Sequence, residues 1–126
     1  MTDLIESLAE HPHCSVLRKG ELDAFLEETP RAILFFTGDT RQRPEGLDVA
    51  VVVRELLDRH AGRIRLGLVD RRDEAALMPR FDVVVLPALA FFRDGQVTEV
   101  VARMRDWAVY TQACARLLAD DAGANA

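Results

Sequence analysis

The chain is poor in cysteine. It has two in 126 residues, Cys14 and Cys114. Neither has a second thiol near it in sequence, which excludes a disulfide framework and a CxxC dithiol alike. A basic surplus is also missing: 16 Lys and Arg face 21 Asp and Glu, a formal net charge of −5. A phosphate backbone is held by a basic surface, so no nucleic-acid partner is expected. The longest apolar runs, Val83 to Leu86 and Leu89 to Phe92 among them, fall far short of the ~20 residues a membrane span needs, and no membrane insertion is expected. Met1 to Glu10 holds acids and no Lys or Arg, unlike the basic start of a signal peptide, so the expected location is cytoplasmic. There is no Gly-rich phosphate loop, no Ser-His-Asp order and no HExxH, and hence no expected catalytic residue or cofactor. His11, His13 and Cys14 lie close together, but their spacing is no standard zinc pattern and a fourth ligand is missing; no metal site is expected.

What the chain does have is a core. Hydrophobic residues make up 49% and charged residues 29%, a globular composition. Thr2 or Asp3 is positioned to cap a first helix through Leu8, which His11-Pro12 ends. Cys14 to Leu17 reads as extended, and Glu21 to Glu28 as a helix with Leu22, Phe25 and Leu26 at helical spacing. Ala32 to Phe36 is a continuous apolar run bounded by Pro30 and Gly38, the pattern of a strand covered on both faces. A polar loop over Thr37 to Gly46 leads into a helix from about Leu47 to His60. Arg63 to Asp70 alternates as a strand. Asp73 to Met78 is a short helix. Val83 to Leu86 and Ala88 to Phe92 are strand-like and flank Pro87. Asp94-Gly95 signals a hairpin turn into Val97 to Ala102, and Asp106 is placed to cap a last helix through about Ala119. The expected domain is residues 1–119, with 120–126 a frayed tail. Helices and strands alternate until the terminal hairpin, so the sheet must be mixed, with parallel strands joined by helices.

This order resembles the thioredoxin fold. Ala32 to Phe36 is similar to that fold's central strand, and Leu86-Pro87-Ala88 to the segment ending in its cis-proline. The resemblance implies an α/β thioredoxin-like fold: a mixed central sheet of roughly four or five strands flanked by helices, with a cis-proline at Pro87. The departures from it decide the chemistry. The CxxC position falls on Gln42-Arg43-Pro44-Glu45, and the place of the buried acid falls on Phe36. Thiol–disulfide exchange needs a thiolate and a second thiol, and neither Gln42 nor Glu45 supplies one.

Narrower motifs go further: Phe35-Phe36-Thr37-Gly38-Asp39, Arg43-Pro44-Glu45, Asp48 to Val52, Leu86 to Leu89, Phe91 to Gly95 and Arg105-Asp106-Trp107. With these the chain resembles the HyaE/HupG hydrogenase expression/formation family, which is thioredoxin-like without the cysteine pair. The resemblance implies a chaperone in maturation of the small subunit of a [NiFe] hydrogenase. Its implied partner is the subunit's precursor with its twin-arginine signal peptide, bound before export.

The candidate partner-binding residues are Asp39, Gln42, Arg43, Pro44, Glu45, Asp48, Pro87 and Trp107. Asp39, Glu45 and Asp48 either hold the arginines of a bound peptide or do local work, closing a turn and complementing a helix dipole. Arg41 and Arg43 are expected to pair with Asp39 and Glu45 or to lie solvated. Pro87 shapes the chain, and its flanking backbone is open to pairing with an extended peptide. Trp107 is expected to pack the last helix onto the sheet; the alternative is an exposed recognition aromatic. Two rival readings stand beside the chaperone: a single-cysteine redox protein or metal carrier using Cys14, and a self-association domain forming a homodimer.

Overall fold

A computed structural model describes residues 3–119. Its elements are α1 (Leu4–Ala9), β1 (Cys14–Leu17), α2 (Leu22–Glu28), β2 (Arg31–Phe36), α3 (Glu45–Arg59), β3 (Arg65–Val69), α4 (Arg71–Leu77), β4 (Ala88–Arg93), β5 (Gln96–Ala102) and α5 (Trp107–Leu118). Single 3₁₀ turns over Lys19–Glu21 and Pro79–Phe81 precede α2 and follow α4. The proposed tail at 120–126 and Thr2 lie outside the described residues; Asp3 caps α1, its carboxylate accepting the Glu6 N–H at 2.8 Å.

The five strands form one sheet in the order β1-β3-β2-β4-β5. β1 and β2 run parallel to β3, while β4 runs antiparallel to both β2 and β5. The alternation of side chains along β2 divides the core in two. Ile33 and Phe35 join Leu66, Leu68, Leu89 and Phe91 under α1, α3 and α5. Ala32, Leu34 and Phe36 join Ala88, Ala90 and Phe92 under α2, Leu77 and Phe81. This is why the Ala32–Phe36 run is uninterrupted: both faces of the strand are covered. At the hairpin, Asp94 (φ 50°) and Gly95 (φ 82°) both take the left-handed backbone that a two-residue type I′ turn requires. The Leu86–Pro87 peptide bond is cis.

Two expectations are corrected. Val83 to Leu86 is not a strand. β2 ends at Phe36, whose partner is Ala88, so nothing is left for residues before Ala88 to pair with. Val83 is buried beside Phe81, but Val84 is 84% exposed. The helix expected from Leu47 starts two residues earlier, at Glu45, so Glu45 belongs to its first turn rather than to the loop. Elsewhere, His11 is buried. Its Nδ1 accepts the His13 N–H at 3.1 Å, and its Nε2 meets the Asp58 carboxylate at 2.7 Å. Among the described residues no cluster of three or more His, Cys, Asp or Glu is arranged to hold a metal ion, and no helix is long and apolar enough to cross a membrane.

Gly46 lets α3 approach the end of β2. A Cβ there would lie 2.7 Å from the Thr37 carbonyl oxygen, a backbone atom that cannot move aside cheaply. Alanine favours a helix over glycine by about 1 kcal/mol, but the clash outweighs that gain. Gly46→Ala is expected to destabilise the fold by about 1–3 kcal/mol, read as a lower urea midpoint at unchanged m-value.

Candidate functional site

Three loops meet beside the N-terminus of α3. The first, residues 37–44, leaves β2. Its Gly38 backbone sits against Leu86, where an added Cβ would come within 3.2 Å of the Leu86 Cβ. Gly38 N–H donates to Glu74 Oε2 at 3.2 Å; Glu74 is 1% exposed, and its other oxygen takes Arg71. The second loop, Asp82 to Pro87, enters β4. The third, Arg103 to Asp106, leaves β5. The sheet register sets their proximity: Phe36 is opposite Ala88, and Ala88 is opposite Ala102.

Arg103, in the third loop, ties the second loop to the first turn of α3. Its backbone N–H donates to the Pro87 carbonyl at 2.7 Å. Its guanidinium grips Glu45 in a fork, Nε at 3.0 Å from both carboxylate oxygens and Nη2 at 2.8 Å from Oε1. The Met104 N–H adds a third donor, at 2.6 Å from Oε2. Arg103 holds a left-handed backbone (φ 67°), an uncommon conformation for a side chain of this size that persists where surrounding bonds impose it. The Arg103 hydrogen bonds, followed by that from Met104, hold the Glu45 carboxyl below its usual range.

These contacts sort the candidate residues. Glu45 is engaged by Arg103, a residue 58 positions away, and not by Arg43. Asp39 closes the turn, its Oδ1 accepting the Arg41 N–H at 3.0 Å and its carbonyl the Arg43 N–H at 2.8 Å. Arg41, Gln42, Arg43 and Pro44 are exposed, with Pro44 at the N-cap position of α3. Neither Arg41 nor Arg43 pairs with Asp39 or Glu45, or with any other carboxylate among the described residues. Asp48 is exposed in the first turn of α3. Pro87 is buried, but the backbone N–H and C=O groups of Val84, Val85 and Leu86 have no backbone partner among the described residues. Val84 and Val85 are exposed and Leu86 is half-buried.

Trp107 corrects an expectation. It does not pack onto the sheet but is 38% exposed at the first position of α5, with the Arg59 guanidinium 5.1 Å from its ring centroid. It walls a groove of about 580 Å³ whose other lining includes Leu4, Ser7, Val51 and Arg54. Asp106 stands at the N-cap position, but its side chain makes no capping hydrogen bond. Sequence reading also missed Arg103 and Glu74. Arg71 three residues before Glu74 was the one local signal of a paired acid.

A carboxylate with a depressed pKa stabilises the fold above its unfolded value and loses that contribution as the pH falls through its folded value. For Glu45 that loss lies below the ordinary value of 4.5. Glu45→Gln is therefore expected to lower the urea midpoint at pH 7, with the gap to the unmodified protein narrowing as the pH is taken below 4.5. A gap independent of pH rules out the ion pair as its source.

Comparison with known proteins gives the arrangement a context. The family model described as "Hydrogenase-1 expression protein HyaE" matches residues 4–110. The hydrogenase expression/formation protein HupG of Rhizobium leguminosarum bv. viciae is 42% identical over 94% of this chain and 82% of its own length. Among solved structures, a hydrogenase expression/formation protein HupG of Rhodopseudomonas palustris CGA009 is 33% identical. It superposes with a TM-score of 0.58 over 84% of this chain and 96% of that one. A thioredoxin variant of Halobacterium salinarum NRC-1 matches with a TM-score of 0.71 at 19% identity, over 83% of this chain and 90% of its own, a likeness of fold alone. With a thioredoxin-like fold and a family match that spans the sheet and the three loops, the chain belongs to the HyaE family of hydrogenase expression/formation proteins.

Proposed function

We propose that the protein is a non-redox, non-enzymatic chaperone in the maturation of a [NiFe] hydrogenase small subunit. It binds the subunit's precursor, including the twin-arginine signal peptide, in the cytoplasm before export. The observation that carries this reading is the open backbone of Val84 to Leu86 beside the tetrapeptide Gln42 to Glu45. Unpaired backbone N–H and C=O groups at the surface are chemistry for main-chain pairing with a peptide. A carboxylate locked to Arg103 replaces the second thiol of a redox site and has no electron to exchange. Membership of a family named for hydrogenase expression supplies the class of client.

The redox reading of Cys14 fares worse on physical grounds. Burial pushes its thiol up to about 11. The reactive thiolate is then on the order of one part in ten thousand at pH 7. Cys114 is buried in α5 and is raised to about 11 in the same way.

A pull-down from cell extract with the tagged protein is expected to enrich the small-subunit precursor over the same subunit without its signal peptide. Enrichment of neither form ends the proposal. Thiol labelling at pH 7 is expected to modify Cys14 more slowly than free cysteine under the same conditions; faster labelling would revive the redox alternative. Light scattering separates a monomer from a homodimer.

A further inference from the structure

We infer that the Pro87 face recognises an extended apolar stretch of its client, and that the client's arginines are not the feature it reads. The inference rests on the preceding proposal that this face binds a client polypeptide.

The electrostatics of the face come first. The three loops and the first turn of α3 carry Arg41, Arg43, Arg103 and Arg105 against Asp39, Glu45, Asp48, Asp82 and Asp106, four positive charges against five negative and so a local net charge of only −1. Most of the chain's net charge of −5 therefore lies elsewhere on its surface. The carboxylate best placed to take a peptide arginine, Glu45, already accepts a forked guanidinium and a backbone N–H. To bind another cation it must share Arg103, and the full strength of a bidentate pair is lost in sharing. Asp39 has one oxygen committed to the loop's own turn. Arg41 and Arg43, without carboxylate partners among the described residues, oppose the approach of further positive charge.

What the face does offer is apolar. Val84 is 84% exposed, Val85 40% and Met104 39%. Phe81 and Val83 are buried in the lower core, and Phe81 packs edge-on to Phe92 at 5.2 Å between centroids. The Val83 N–H is tied to the Met78 carbonyl at 2.9 Å. The Met104 backbone is fixed by its N–H bond to Glu45, and its Sδ accepts from the Tyr110 hydroxyl at 3.7 Å. An apolar surface of nearly balanced charge beside unpaired backbone groups fits an apolar, extended segment. Its backbone pairs with Val84 to Leu86, and alternate side chains cover the valines and Met104. At about 3.3 Å per residue, some three residues of client run alongside Val84 to Leu86. The apolar region of an export signal, about seven to fifteen residues long, supplies such a segment.

The experiment uses a fluorescein-labelled synthetic peptide in which an Arg-Arg pair precedes an apolar run of about ten residues rich in leucine. Binding is followed by fluorescence polarisation with the full chain. A second peptide replaces the arginines with glutamine, and a third replaces the leucines with serine. The protein variant Val84→Asp changes an exposed side chain, and circular dichroism checks its fold. The serine peptide and Val84→Asp are each expected to weaken binding at least about tenfold, and the glutamine peptide to bind within about threefold of the parent. If the arginines are what is read, the glutamine peptide loses binding, the serine peptide keeps it, and the added carboxylate of Val84→Asp tightens the parent complex; any of these overturns the inference. Capture of the intact precursor with no binding of any peptide also overturns it, leaving the chaperone proposal standing. Failure of both precursor and peptides removes that proposal and this inference together.

Discussion

The antiparallel pairing of β2 with β4 is the constraint on which the candidate site depends. β2 is the middle strand and is buried on both faces. A one-residue slip would move Ile33 and Phe35 into the lower core and Leu34 and Phe36 into the upper, so the register is strongly specified. That register puts Phe36 opposite Ala88. The loop leaving β2 and the loop entering β4 must then begin at the same edge of the sheet. Ala88 opposite Ala102 brings in the third loop by the same rule. The three loops converge because hydrophobic packing elsewhere fixes the strands, and the loops themselves need supply little of the cost of assembly.

Within that frame the Glu45–Arg103 pair does a second job. It links α3 to the end of β5, and through the Arg103 N–H it links both to Pro87. An exposed ion pair is usually worth little. This one is forked, has a backbone N–H as a third donor and sits on a left-handed residue, so several restraints share one geometry. The outcome is a floor of fixed shape beneath Met104 and Pro87. A surface that captures an extended chain gains from such rigidity, because less freedom is lost on binding.

The elements legible in the sequence were those set by local chemistry. The Asp94-Gly95 turn, the doubly covered β2 and the Asp3 cap each follow from a handful of adjacent residues. What escaped was set by distance along the chain. Nothing near Glu45 announces Arg103; the two meet because the sheet carries β5 back to α3. Trp107 looked like core because tryptophan usually is, yet the α5 positions that face the sheet are taken by Tyr110, Ala113, Cys114 and Leu117. Val83 to Leu86 looked like a strand because β-branched residues favour one, but propensity cannot supply a missing partner strand. The eight-residue polar loop gave its proline and Asp39, but not that Glu45, just beyond it, was engaged by Arg103.

The N-terminus of a helix is a fixed resource, a set of unpaired N–H groups and a partial positive charge that favours an anion. In a redox site at this position that resource would lower a thiol's pKa and make a nucleophile. Here Pro44 takes the cap position and Glu45 and Asp48 stand in the first turn. The anion the helix favours is a carboxylate, and the carboxylate is spent on Arg103 and Met104. The same backbone dipoles that would activate a reaction instead stabilise a clamp. The absence of thiols is therefore not the whole difference from a redox site. Cysteines placed at Gln42 and Glu45 would remove the acid of the ion pair and leave the Arg103 guanidinium without it, so this ion pair and a dithiol compete for one helix end.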